Sequence, residues 1–102
     1  MDLQRNAAFD KLFHAILTLN AVDECYDFFE DICTIKEIQE LAQRFDVADL
    51  LWAGKSYSEI NQATGASTAT ICRVKKCLVY GNSGYQLALE RMKNKTPEAQ
   101  DD

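Results

Sequence analysis

The sequence predicts an all-α chain of about six helices, two of which form a helix-turn-helix. Three observations carry that reading. Apolar residues recur at three- and four-residue spacing through most of the chain, with no two-residue alternation of useful length. The one proline, Pro97, lies near the C-terminal end, and four glycines leave little room for long loops. Residues 56 to 76, Ser-Tyr-Ser-Glu-Ile-Asn-Gln-Ala-Thr-Gly-Ala-Ser-Thr-Ala-Thr-Ile-Cys-Arg-Val-Lys-Lys, carry the caps and the turn of two short crossed helices. At 102 residues the expected organisation is a single domain with a modest core.

The elements follow in order. Leu3, Ala7, Ala8, Phe9, Leu12, Phe13, Ile16, Leu17 and Leu19 give residues 2–19 an amphipathic stripe, and Asn20 can end it. Asp23 can cap a second helix, whose apolar set is Tyr26, Phe28, Phe29 and Ile32. That segment is short and aromatic, so it needs a larger surface than it can build alone. Thr34-Ile-Lys-Glu37 is a capping-box pattern opening the longest helix, roughly residues 34–53. Its expected stripe is Ile38, Leu41, Ala42, Phe45, Ala48, Leu51 and Trp52, closed by Gly54 as a C-terminal cap.

Ser56 with Glu59 forms a second capping box, and Gly65 supplies the left-handed backbone of a tight turn. Ser67 caps the next helix, which ends near Tyr80. Ile60, Ala63, Ala66, Ile71 and Val74 fall where the two crossed helices should bury side chains. Gly81-Asn-Ser-Gly84 is a turn. Tyr85 to Lys95 suits a final helix with Leu87, Leu89 and Met92 apolar, and residues 96–102 are expected to fray.

In the DNA-binding use of such a hairpin, the second helix enters the major groove with its N-terminal residues on base edges. Thr68, Ala69 and Thr70 are short enough for close approach, while Arg73, Lys75 and Lys76 can reach phosphates. The net charge of −5 looks adverse, but its distribution is uneven. Residues 1–53 hold eleven acids against four bases, whereas residues 54–80 hold Lys55, Arg73, Lys75 and Lys76 against Glu59 alone. Residues 81–102 hold three bases and four acids. The only basic stretch therefore coincides with the hairpin. An acidic body with a basic reading head predicts that the first half faces away from the duplex and that non-specific affinity is weak.

Other functions find less support. Cys25, Cys33, Cys72 and Cys77 form no C-x-x-C pair and His14 is remote, so a metal site is not expected. The thiols are expected to be reduced, buried and inert. No nucleophile–base pair, glycine-rich phosphate loop or metal motif supports an enzyme. No apolar run approaches the roughly 18 residues of a membrane span and no leader resembles a signal peptide, so the expected location is the cytoplasm. The alternative to DNA binding is a helical protein–protein interaction module, whose acidic first half would suit a basic partner. The apolar load of the first thirty residues calls for cover from a second copy of the chain, because a helix-turn-helix commonly reads a two-fold symmetric site as a dimer.

From Thr34 to about Lys76 the chain resembles the tryptophan repressor family, in its branch of small bacterial repressor-like proteins. The matching features are a capped helix with Arg44 near its middle, a Leu50-Leu51-x-x-Gly54 ending, Ser-x-Glu-Ile, Gly65-Ala66, and Ala69-Thr70-Ile71-x-Arg73. The first thirty and last twenty residues match mainly in helix layout. The resemblance implies a six-helix chain interlaced as a homodimer, with residues 1–33 serving mainly dimerisation and residues 56–79 reading DNA. It places Ala69 and Thr70 at base-contacting positions, with Arg73 one turn later. Tyr57, Ser58, Asn61 and Thr68 occupy matching positions but differ in type, so the operator sequence does not transfer. The candidate DNA-binding set is Tyr57, Asn61, Ser67, Thr68, Ala69, Thr70, Arg73, Lys75 and Lys76, with double-stranded DNA as partner.

For a small-molecule corepressor the resemblance is mixed. Thr34, Arg44 and Arg73 match the family's ligand-binding residues, and two guanidinium groups could hold a carboxylate and sandwich a flat ring. Val74 and Cys77, however, stand where the family has small or hydroxyl-bearing residues. Tryptophan is therefore not expected to act as it does on the family's namesake, and the choice among tryptophan, another small carboxylate ligand and none stays open.

Overall fold

The computed structural model describes residues 3–100, with side chains described through residue 94, and holds six helices and no strand among them. They are α1 (Ala7–Ile16), α2 (Val22–Ile32), α3 (Ile35–Trp52), α4 (Tyr57–Thr64), α5 (Thr68–Tyr80) and α6 (Gly84–Gln100). The all-α expectation holds. The chain divides into two compact units, Met1–Gln39 and Glu40–Asp102, with the boundary inside α3.

In the first unit the helix ends follow local capping chemistry more closely than apolar spacing. Residues 2–19 carry a continuous stripe, yet α1 begins only at Ala7, because the Asn6 side chain accepts the Phe9 N–H at 2.8 Å. The cap of α2 is Ala21 rather than Asp23. Asp23 and Glu24 sit in its first turn, and the Glu24 carboxylate accepts the Asn20 N–H at 2.8 Å. The capping box at the start of α3 is present in full: Thr34 N–H donates to Glu37 Oε1, and Glu37 N–H donates to Thr34 Oγ1. Phe28 and Phe29 meet edge to face with ring centroids 5.4 Å apart. Neither α1 nor α2 buries a single residue.

Among the described residues the buried core lies in the second unit. Val47, Ala48, Ile60, Ala66, Ile71 and Val74 are buried together, with Leu50, Leu51, Tyr57, Leu78 and Tyr85 packed against them. This revises the expected stripe of α3. Val47, Ala48, Leu50 and Leu51 are the α3 residues in or against the core, while Leu41 and Trp52 stay about half exposed. Ala63 is also exposed, because Thr64 takes the inward position and returns its hydroxyl to the Ile60 carbonyl at 2.8 Å. Gly54, at φ 86°, closes α3, and the Lys55 N–H bonds the Leu50 carbonyl.

α5 ends at Gly81, where a Cβ would run into the Cys77 carbonyl. The Gln86 amide then donates to the Leu78 carbonyl at 2.7 Å, tying the start of α6 to the end of α5. Of the apolar positions expected in α6, Leu89 is buried whereas Leu87 and Met92 are half exposed. The helix continues to Gln100, beyond the expected end at Lys95, and residues 101 and 102 of the expected frayed tail lie outside the described residues.

Candidate nucleic-acid interface

The corner between α4 and α5 is fixed by side chains that satisfy its own backbone. Ser56 N–H donates to Glu59 Oε1 at 2.9 Å and Glu59 N–H donates to Ser56 Oγ at 3.1 Å, which completes the box at the start of α4. These bonds, helped by Lys55, hold the Glu59 carboxyl below its ordinary pKa. Gly65 adopts φ 73° and returns its N–H to the Asn61 carbonyl at 2.8 Å. Two carbonyls in the turn receive side-chain amides: Asn61 Nδ2 donates to Ala66 at 2.8 Å, and Gln43 Nε2, from α3, donates to Thr64 at 3.2 Å. Asn61, a candidate DNA contact, thus gives one amide N–H to the turn.

Ser67 opens α5 by accepting the Thr70 N–H at 3.2 Å, and its hydroxyl also reaches Thr70 Oγ1 at 3.2 Å. Ile71 and Val74 are buried against α4 and α3, which fixes the rotation of the helix. Ala69, Cys72, Arg73 and Lys76, spaced i, i+3, i+4 and i+7, are then all exposed on the opposite face. Thr68 and Lys75 lie along one edge of the buried stripe, and the half-buried Thr70 along the other. The outward face of α5 is a shallow surface with small residues at its N-terminal end and cations toward its C-terminal end.

Tyr57, the first residue of α4, reaches across to α5. The Lys75 ammonium lies 5.7 Å from its ring centroid, and the Cys72 thiol donates to its phenolic oxygen at 3.9 Å. Desolvation first, then Cys72, raises the phenol's pKa, so the ring stays neutral.

Two of the residues expected to hold a ligand, Arg44 and Arg73, lie in the second unit. Arg44 and Arg73 both act on the phenol of Tyr85, which is half-buried and lies 6.2 Å ring to ring from Phe45. Burial and Cys77 raise the Tyr85 pKa, and the two guanidinium groups oppose them. Arg44, Arg73, Cys77 and Tyr85 therefore share one neighbourhood, while Val74 turns into the core. Thr34 serves as the cap of α3, its hydroxyl oxygen occupied by the Glu37 N–H.

Sequence reasoning missed two residues. Cys72 was expected to be buried, but Cys25, Cys72 and Cys77 are exposed and Cys33 is half-buried. The spacing of Cys72 from Ala69 and Lys76 already marks it as outward, once Ile71 and Val74 are known to face in. Tyr85 carries no such signal, since its place depends on how α6 packs. Among the described residues no group of three or more His, Cys, Asp or Glu could hold a metal ion, and no helix is long and apolar enough to cross a membrane.

The family model for the Trp repressor protein matches residues 7–93. YerC, an uncharacterized protein of Bacillus subtilis strain 168, is 52% identical over 99 residues, covering 97% of this chain and 95% of YerC. Two crystal structures superpose at a TM-score of 0.85: a candidate Trp repressor from Staphylococcus aureus and a TrpR-like protein from Eubacterium eligens. The first is 54% identical and matched over 87% of this chain and 89% of its own. The second is 53% identical and matched over 87% and 92%. With its capped hairpin, its outward-facing α5 and a family match spanning five of its six helices and most of the sixth, the chain belongs to the Trp repressor family of helix-turn-helix DNA-binding regulators.

Proposed function

We propose that this chain is a homodimeric transcriptional repressor that reads a two-fold symmetric operator through α5. The observation that carries the reading is the rotation of α5. Burial of Ile71 and Val74 turns Ala69, Arg73 and Lys76 outward on a helix whose first three residues, Thr68, Ala69 and Thr70, are all small. Such a face can approach base edges with its N-terminal turn while its cations meet phosphates. The basic character of residues 54–80, in a chain that is acidic elsewhere, supports the same face as the one turned to DNA. Pairing two such heads by a two-fold axis needs a second copy, and the uncovered apolar surface of α1 and α2 supports one. The site of action is the cytoplasm, where bacterial operators lie.

The regulator acts without tryptophan in this reading, and any small carboxylate effector would engage Arg44 and Arg73. The deciding experiment selects bound duplexes from a random pool, with and without free tryptophan. The expected outcome is one enriched motif with two-fold symmetry, unchanged by the amino acid. No enrichment, together with binding insensitive to salt, would reject the reading.

A further inference from the structure

We propose that Tyr57 is a positioning residue, holding the Lys75 ammonium on the α4 side of α5 so that it takes a DNA phosphate at the flank of the reading face. The inference rests on the DNA-binding reading and assigns work within it. Lys75 and Lys76 are adjacent in sequence but differ in situation. Lys76 shares the outward face with Ala69 and Arg73, whereas Lys75 follows Ile71 by one helical turn and lies beside the buried stripe. The Lys75 side chain runs to Tyr57, with its ammonium 5.7 Å from the ring centroid. The ring is itself fixed at two points, packed against the core cluster and bonded at its oxygen by the Cys72 thiol at 3.9 Å.

A free lysine has four rotatable carbons to order before it can meet a phosphate, and that ordering opposes binding. A ring face that already holds the ammonium removes part of this cost while leaving the cation able to pair with an anion, since the ring contributes no counter-charge. Lys55 borders the same groove between the end of α3 and α5, so the anion would meet two cations there. The N-terminus of α4 is a poorer anchor, because the Glu59 carboxylate already closes it. Tyr57 is thus assigned to backbone positioning and carries no sequence information.

The test measures affinity for a selected duplex and a scrambled duplex across a series of salt concentrations. It uses the wild-type chain, Tyr57→Phe, Tyr57→Leu, Lys75→Ala and the Tyr57→Leu/Lys75→Ala pair. Exposed cation–π contacts shift an equilibrium by about two- to fivefold. Tyr57→Leu should weaken both duplexes alike by about that factor. Lys75→Ala should weaken both and lower the salt slope by about one unit. The double variant should be no weaker than Lys75→Ala, and Tyr57→Phe, which keeps the ring, should stay within about twofold of wild type. Thermal melts identify any loss that comes from unfolding at Tyr57, and the exposed Lys75→Ala carries the comparison in that case, its slope having to fall. The proposal is overturned if Tyr57→Leu alters discrimination between duplexes, if the two single losses multiply, or if Lys75→Ala leaves the slope unchanged. A wild-type chain that binds neither duplex removes the DNA-binding reading and this proposal together.

Discussion

Truncating Thr70 and truncating Lys76 should damage DNA binding in different ways. Thr70 stands in the first turn of α5 with its hydroxyl against Ser67, where a base edge can approach. Thr70→Ala is expected to lower discrimination between operator variants by about 1–3 kcal/mol, measured by competition between duplexes. Lys76 is exposed on the outward face, so Lys76→Ala should weaken all sequences alike and lower the salt slope by about one unit. Unchanged affinity in both variants would leave the hairpin a structural element. Tryptophan poses a second question at this scale. Val74 is 1% exposed, at a position where the resemblance to the tryptophan repressor implies a smaller residue, and overpacking by a ligand ring would cost about 1–3 kcal/mol. Cys77 in place of a hydroxyl removes a partner for a buried ammonium at a similar cost, about 1–3 kcal/mol. Together these are expected to weaken tryptophan binding by about two orders of magnitude or more. Calorimetry should find no micromolar affinity, and finding it would reject the argument. Val74→Ala with Cys77→Ser is the gentler gain-of-binding test, because glycine at 74 would hollow the core and cost about another 1 kcal/mol in helix propensity.

At the scale of the element, what the sequence made legible was chemistry closed within a few residues. The boxes at Thr34–Glu37 and Ser56–Glu59 and the left-handed Gly65 all form as their patterns imply. What it hid depended on packing. α3 has apolar residues on two sides, Leu41 and Trp52 on one and Val47 and Leu51 on the other, and periodicity alone cannot choose which side faces the core. Tyr85 was hidden for the same reason. The Ser56–Glu59 box invites a direct test. Ser56→Ala should cost about 1 kcal/mol of stability by urea unfolding. Glu59 titrates below its ordinary value in the folded chain, so its contribution is fully present above the unfolded carboxylate range and is lost as pH falls through the depressed folded value. Glu59→Gln keeps an acceptor at the same position but cannot titrate. Its urea midpoint should therefore fall less steeply than wild type between about pH 7 and about pH 3. Parallel curves would show that the cap is insensitive to ionisation.

Considered as a whole, the molecule distributes burial unevenly, and this argues most directly for a dimer. Among the described residues every buried side chain lies in the second unit, whereas Phe13, Leu17, Val22, Tyr26 and Ile32 of the first are all about half exposed or more. Leu17 is 78% exposed. An apolar groove of about 240 Å3, lined by Val22, Cys25, Tyr26, Phe29, Glu30 and Ile38, opens on the same unit. Helices of ten and eleven residues are marginal in water unless an apolar face is packed. Since α1 and α2 bury no residue in one copy, their order is expected to depend on cover from another, which would couple folding to association. Sedimentation at low micromolar concentration should give twice the 11.5 kDa chain mass, and the melting temperature should rise with protein concentration. Leu17→Glu with Tyr26→Glu places charges on the uncovered face while leaving the second unit's core untouched. That variant should sediment as a single chain and lose helical signal equivalent to α1 and α2, while the core around Val47, Ile60 and Ile71 still melts cooperatively. A wild-type chain that sediments at 11.5 kDa with all six helices formed would reject the interlaced architecture. The two-fold symmetry expected of the operator would fall with it, because that symmetry has no other source than the pairing of two chains.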